Sequence, residues 1–343
     1  TCPPFLNVSV EFSPFAFAMW IGSTLLESKR SDAAGGKVDV VAILDDVTLT
    51  GAAEQVLDTF KRELKPRLEA QNMHVNMNKT KLLWPYRNRE VPAELQSQCD
   101  ELGLEVVKNN AVVLGTLVGL INETEADKFV EGKIKDHDDF FNALVNPHMS
   151  KTVAALLLNF CAQPRMNYVF RTLPSVLYPA QVAEWEKKCA EVARHVYSCN
   201  VAINRRSLRI SQGGFGIDDS QAVAPVAYFA SAQLANCVWL EADRRGVHVQ
   251  KCSVQMRLRV CFDLVANLGV PRGMVGVLPF RSTDKQFAFF GTHVTSLQQR
   301  ILNFVMIKKR NDLEADIRAR GNVVEMAHLH AVRAQHSGAM LTM

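Results

Sequence analysis

The adjacent carboxylates Asp45 and Asp46 are the residues of this 343-residue chain best suited to chemistry. They interrupt an apolar run, with Val38-Asp39-Val40-Val41-Ala42-Ile43-Leu44 before them and Val47-Thr48-Leu49-Thr50-Gly51 after. Neighbouring side chains on a strand point to opposite faces, so two aspartates converge on one point only where the backbone turns beneath them. Hard divalent cations take oxygen ligands, and magnesium is held by one or two carboxylates together with substrate phosphates. A pair of such ions stabilises the attacking and leaving oxygens of a nucleotidyl transfer. An ordinary exposed turn uses aspartate as well. The dipeptide also recurs as Asp138-Asp139 and Asp218-Asp219.

The flanking residues predict how the pair is positioned. Residues 37–44 and 47–50 are rich in β-branched side chains and read as two strands of a tight hairpin with the dyad at its bend. Residues 51–71 read as a helix, with Ala53, Val56, Leu57, Phe60 and Leu64 at three-and-four spacing and Pro66 disturbing the last turns. Val75-Asn76-Met77-Asn78-Lys79-Thr80-Lys81-Leu82-Leu83-Trp84 reads as strand, Asn-rich turn and strand. Residues 111–119, AVVLGTLVG, read as one buried strand ended by glycine.

Taken in order, the carboxylate hairpin, the helix, Asn76-Met77-Asn78-Lys79-Thr80 and Leu114-Gly115 resemble the palm of reverse transcriptases of the non-LTR retrotransposon type. The resemblance implies that Asp45 and Asp46 bind the catalytic metals, Mg2+ or Mn2+. It places Asn76 and Lys79 in the next palm motif, with Lys79 as proton donor to departing pyrophosphate, and makes Leu114 and Gly115 a primer grip. Phe12-Ser13-Pro14-Phe15-Ala16-Phe17-Ala18 looks like the end of a preceding motif. The likeness continues downstream. Residues 151–175 are similar to a helical segment that follows the palm, and Ser211-Gln212-Gly213-Gly214-Phe215-Gly216-Ile217 with residues 224–231 resembles a Gly-Gly-Leu-Gly block and its alanine-rich helix. Gln335-His336-Ser337-Gly338-Ala339-Met340-Leu341 resembles a recurring Gly-Ala-x-Leu ending.

The resemblance implies a piece of a retroelement RNA-directed DNA polymerase, with an RNA template and a DNA primer as partners. The family's fingers and first catalytic aspartate precede the dyad, and nothing ahead of Ser13 matches them. A missing N-terminal polymerase segment is therefore expected as a further partner, and the chain alone is expected to polymerise little. Its Gln-Gly is absent near Asn7, and Ile43 stands where an aromatic residue is usual. The alternative is a non-catalytic nucleic-acid-binding or scaffold protein derived from such a polymerase. The expected architecture is α+β: a truncated palm over residues 1–120, a helical thumb-like region over 121–205, and a mostly helical C-terminal region over 206–343.

Charge is divided unevenly. Residues 1–150 hold 15 Lys and Arg against 22 Asp and Glu, and residues 151–343 hold 24 against 13, so the parts carry −7 and +11. A polyanion is expected on the later part. Candidate contacts are Arg205, Arg206 and Arg209, read in a connection between helices, and Lys308, Lys309 and Arg310 in the basic stretch 251–310. A solvated helical face, or an interface with an acidic domain, would give the same run.

Other chemistries lack their residues. Eight cysteines show no C-x-x-C pair and read as reduced, mostly buried thiols of an intracellular protein. The resemblance implies a nuclear or cytoplasmic ribonucleoprotein. His328, His330 and His336 match no zinc spacing. There is no Walker loop and no Gly-x-Ser-x-Gly elbow. The apolar run 12–26 is shorter than the ~20 residues that span a bilayer, so it reads as a helix buried under the sheet and no membrane partner is expected.

Overall fold

The β-branched residues on either side of the dyad form a hairpin. A computed structural model describes residues 5–9, 38–43, 46–198, 203–209, 212, 214–244, 254–271 and 297–331. In it β2 (Asp39–Ile43) pairs antiparallel with β3 (Asp46–Thr50), Ile43 opposite Asp46. β1 (Phe5–Ser9) pairs antiparallel with β3 on one side and with β4 (Lys81–Trp84) on the other. β4 runs parallel to β5 (Glu105–Lys108), giving the order β2-β3-β1-β4-β5. Residues 12–26, Cys2 and the Gly-Ala-x-Leu ending lie outside the described residues.

Burial alternates along β3. Val47 and Leu49 are fully buried, whereas Asp46, Thr48 and Thr50 are half-buried on the opposite face. The buried face is covered by α1 (Ala53–Thr59), a π-helical turn (Phe60–Leu64), α2 (Lys65–Ala70) and α3 (Ala93–Leu102). Val56, Leu57, Phe60, Leu64 and Leu68 fall on one side of the helix and share a core with Val47, Leu49, Leu82, Leu95 and Cys99. Pro66 has no N–H, and its ring crowds the carbonyl four residues back. The chain absorbs this by widening the preceding turn, so that the Lys65 N–H reaches Phe60 O, five residues back. The same solution recurs at Leu158–Ala162 ahead of Pro164, where the Gln163 N–H bonds Leu158 O.

Residues 111–119 are not the single strand expected. β6 (Asn110–Val113) and β7 (Thr116–Gly119) pair antiparallel as a separate two-stranded sheet, Val113 opposite Thr116. Leu114 and Gly115 are its two-residue turn, at φ 50° and 77°. Positive φ at both positions is what a tight hairpin needs to match the twist of its strands. An Asn-Gly pair would have announced such a turn; Leu-Gly inside an apolar run does not. The hairpin packs through Val113, Ala111 and Val118 on the buried Leu83 of β4. Leu82 beside it belongs to the helix-side core, so the hairpin meets the other face of the sheet.

The chain divides into two compact units, Thr1–Asn122 and Glu123–Met343. All described strands lie in the first. The second holds α4 (Glu123–Lys135), α5 (Asp138–Leu144), α6 (Lys151–Leu157), the π-helical turn Leu158–Ala162, α7 (Gln163–Thr172) and α8 (Pro179–Tyr197). It continues with α9 (Ile203–Ser207), α10 (Ser220–Arg244), α11 (Val254–Asn267), α12 (Leu297–Ala319) and α13 (Val323–Ala331). Strands first and helices after make an α+β organisation. Phe229, Cys261, Val265, Ile301 and Val305 centre the core that α10, α11 and α12 share. Cys99, Cys189 and Cys261 are buried free thiols, and burial pushes them up to about 11, 12 and 12. Among the described residues no helix is long and apolar enough to cross a membrane.

Candidate functional site

Asp46 opens β3, with Ile43 as its neighbour in β2 and Ser9 as its neighbour in β1. Asp45 belongs to the two-residue link and lies outside the described residues. Because burial alternates along β3, Asp46 stands on the face away from the helical layer. The β1–β4 register pairs Asn7 with Lys81. The turn Asn76–Thr80 leads directly into Lys81, at the same end of the sheet as Asp46, because β3 and β4 both run antiparallel to β1. β1 alone separates β3 from β4 in the sheet.

The Asn-x-x-Lys-Thr segment is a turn that holds itself. Asn76 Oδ1 accepts the Lys79 N–H at 3.3 Å, and Asn76 O accepts the Thr80 N–H at 3.0 Å and the Thr80 hydroxyl at 2.9 Å. Thr80 is buried while Lys79 is exposed. Asn76 and Thr80 therefore fix the backbone from which the Lys79 ammonium projects. Leu114 and Gly115 sit at the tip of the β6–β7 hairpin, with Leu114 exposed. The carboxylate of Asp46 offers the hard oxygen donors that Mg2+ prefers, and Asp45 adjoins it in sequence. Among the described residues no group of three or more His, Cys, Asp and Glu is placed to hold a metal ion.

The other two Asp-Asp pairs have structural roles. Asp138 pairs with Lys188 at 2.7 Å, joining α5 to α8. Asp219 pairs with Lys309, which joins the start of α10 to α12.

The six cations expected to meet nucleic acid divide into two groups. Arg205, Arg206 and Arg209 are not in an open connection: α9 takes up the first two, and Leu208 beside them is fully buried. Arg206 is 6% exposed and bound to Glu186, and Arg310 is 5% exposed and bound to Glu314 at 3.0 Å. Arg205 pairs with Glu325 at 3.4 Å, and Lys309 with Asp219. These four charges are neutralised inside the helical unit. Arg209 and Lys308 are exposed and bonded to Asn303 Oδ1 at 2.6 Å and Leu268 O at 3.3 Å, and the Arg209 charge also acts on the Asp218 carboxylate.

The glycine-rich block is explained by close packing. A Cβ on Gly214 would stand 2.2 Å from Leu208 O. Asn159 Nδ2 donates to Phe215 O at 3.1 Å, and Gln163 Oε1 accepts the Asp218 N–H at 2.9 Å. Glu186 Oε2 accepts the Ser220 N–H at 2.7 Å. The block is a strap bound by side chains from the π-helical turn, α7 and α8. The sequence offered its glycines but not these partners, which lie 34 to 56 residues away.

No protein-family model matches the chain, and no curated protein matches it. The functional reading therefore stands on this geometry and on the order of the motifs.

Proposed function

We propose that the chain carries the metal-binding hairpin and the pyrophosphate-facing lysine of a reverse-transcriptase palm, followed by thumb-like and C-terminal helical regions. The observation that carries this reading is the strand register, which brings Asp46 and the Asn76–Thr80 turn to one end of one sheet. Asp45 and Asp46 would hold Mg2+, which would supply charge neutralisation at the reacting phosphate. Lys79, in the turn that leads into β4 at the same end of the sheet, would set its ammonium against the charge that develops on pyrophosphate and provide a proton to it. Asn76 keeps Lys79 in place through the backbone. Leu114 and Gly115, held by a tight turn, offer a rigid tip to a primer strand. The partners are an RNA template and a DNA primer.

Extension of a labelled DNA primer on an RNA template tests this. With Mg2+, whatever extension the chain shows falls to background in Asp45→Ala, and Lys79→Ala lowers it by about tenfold to a hundredfold, within the range for a general acid. Extension unchanged by Asp45→Ala would refute the site. A second reading, a non-catalytic nucleic-acid-binding scaffold, is supported by the exposed cations of the helical unit. It predicts binding without extension.

A further inference from the structure

The helical stretch formed by α6, the π-helical turn and α7 shows two faces of opposite character. Ala154, Leu158, Ala162, Met166 and Phe170 are buried in the helical unit. The other face leaves Val153, Leu156, Phe160 and Tyr168 open to solvent, Phe160 to 75% and Tyr168 to 46%. These are the only aromatic rings among the exposed large hydrophobic residues of the described chain. Phe160 lies within the widened π-helical turn itself, the kind of irregularity that concentrates at functional positions.

Cations interleave with the rings along the sequence, and among the described residues none of them forms an ion pair. Residues 140–183 contain no Asp or Glu. Lys151, Arg165 and Arg171 are exposed, and their partners are uncharged: the Ser198 hydroxyl, His137 Nδ1 at 3.3 Å and Gln298 Oε1 at 3.1 Å. Arg165 is further fixed over the Phe140 ring at 4.0 Å. Burial, and then the Arg165 guanidinium, push His137 below its ordinary value, with Asp136 acting in the opposite sense. This contrasts with Arg206, Lys309 and Arg310, whose charges are taken up by carboxylates.

We propose that this face binds single-stranded nucleic acid, with unpaired bases stacked on Phe160 and Tyr168 and the backbone phosphates drawn to Lys151, Arg165 and Arg171. Exposed rings interleaved with cations form the sequence-tolerant platform that single strands use. A duplex keeps its bases paired and presents phosphate ribs to these rings, leaving their apolar surface uncovered. Three cations along the stretch are too few for tight duplex binding by phosphate neutralisation alone. The proposal shares with the polymerase reading only the class of partner, and metal-free buffer keeps the two separable.

The test is fluorescence anisotropy of a labelled oligouridylate with the full chain in EDTA, across a salt series. Three phosphate contacts on a single strand give a log–log salt slope of about −2. Phe160→Ala combined with Tyr168→Ala weakens binding at least tenfold, as loss of stacking requires, and leaves that slope unchanged. Lys151→Gln combined with Arg171→Gln flattens the slope to about −0.7. Phe160→Trp retains binding, and circular dichroism confirms that these exposed substitutions leave the fold intact. Wild-type affinity in the double-alanine variant would overturn the proposal. So would equal competition by an RNA duplex, or ring-dependent binding to anionic phosphatidylserine vesicles with none to the oligonucleotide.

Discussion

Glu186→Gln is expected to lower the stability of the helical unit by about 3–5 kcal/mol, the cost of breaking a buried ion pair from one side. Glu186 is 7% exposed and answers two groups at once: one oxygen accepts from the Arg206 guanidinium, the other from the Ser220 N–H. Burial already holds the Arg206 guanidinium below its ordinary value, with Asp219 acting in the opposite sense. Removing the carboxylate charge strands that cation between α8, α9 and the start of α10. Urea unfolding followed by circular dichroism reads the loss as a lower midpoint. Glu186→Leu combined with Arg206→Met should recover most of it, because well-packed apolar residues replace a buried pair at little or no cost. A single variant as stable as the parent would show that the pair is not buried in solution.

Gly214→Ala is expected to cost about 3 kcal/mol, at the upper end of what a forced backbone shift costs in a packed site. The added methyl would meet Leu208 O at 2.2 Å and Leu208 Cβ at 2.4 Å. Leu208 cannot retreat, being fully buried in a cluster with Leu313, Ile317 and Leu329. Nor can the strap slide. Gly216 N–H bonds Leu208 O at 2.8 Å and Ile217 N–H bonds Arg206 O at 3.1 Å. Gly132→Ala is the control: it lies in α4 with nothing within 4 Å of the added carbon. That change should stabilise by about 0.5–1 kcal/mol, the helix-propensity difference between the two residues. The contrast between two identical substitutions, measured in the same urea titration, isolates the close approach at Gly214 from general effects of replacing glycine.

Local pattern made part of this fold legible. The β-branched runs around the dyad and the three-and-four spacing from Val56 to Leu64 reached the structure as hairpin and helix, because each depends on residues within one turn or one strand. Pro66 was recognised as a disturbance, but its outcome, a π-helical turn repeated ahead of Pro164, depends on packing that holds the helix together on both sides of the proline. The β6–β7 turn was hidden because Leu114 adopts a conformation that sequence assigns to Asn or Gly. The basic residues misled for a different reason. Charge density along the chain cannot show that Glu186, Asp219, Glu314 and Glu325 reach Arg206, Lys309, Arg310 and Arg205, three of them across 20 to 120 residues. The cations of α6 and α7 are sparse in sequence, and they stand out only once their exposure and their lack of an ion pair among the described residues are seen together.

The metal-binding role of the dyad is tested most directly by isothermal titration calorimetry of the chain with MgCl2 and MnCl2. Asp45 and Asp46 acting together predict a weak, saturable site in the parent protein. It should disappear in Asp46→Asn, which keeps the side-chain shape and removes the charge, and persist in Asp138→Asn, whose carboxylate is already paired with Lys188. Heat that is absent in the parent, or undiminished in Asp46→Asn, would contradict a metal site at the β2–β3 hairpin.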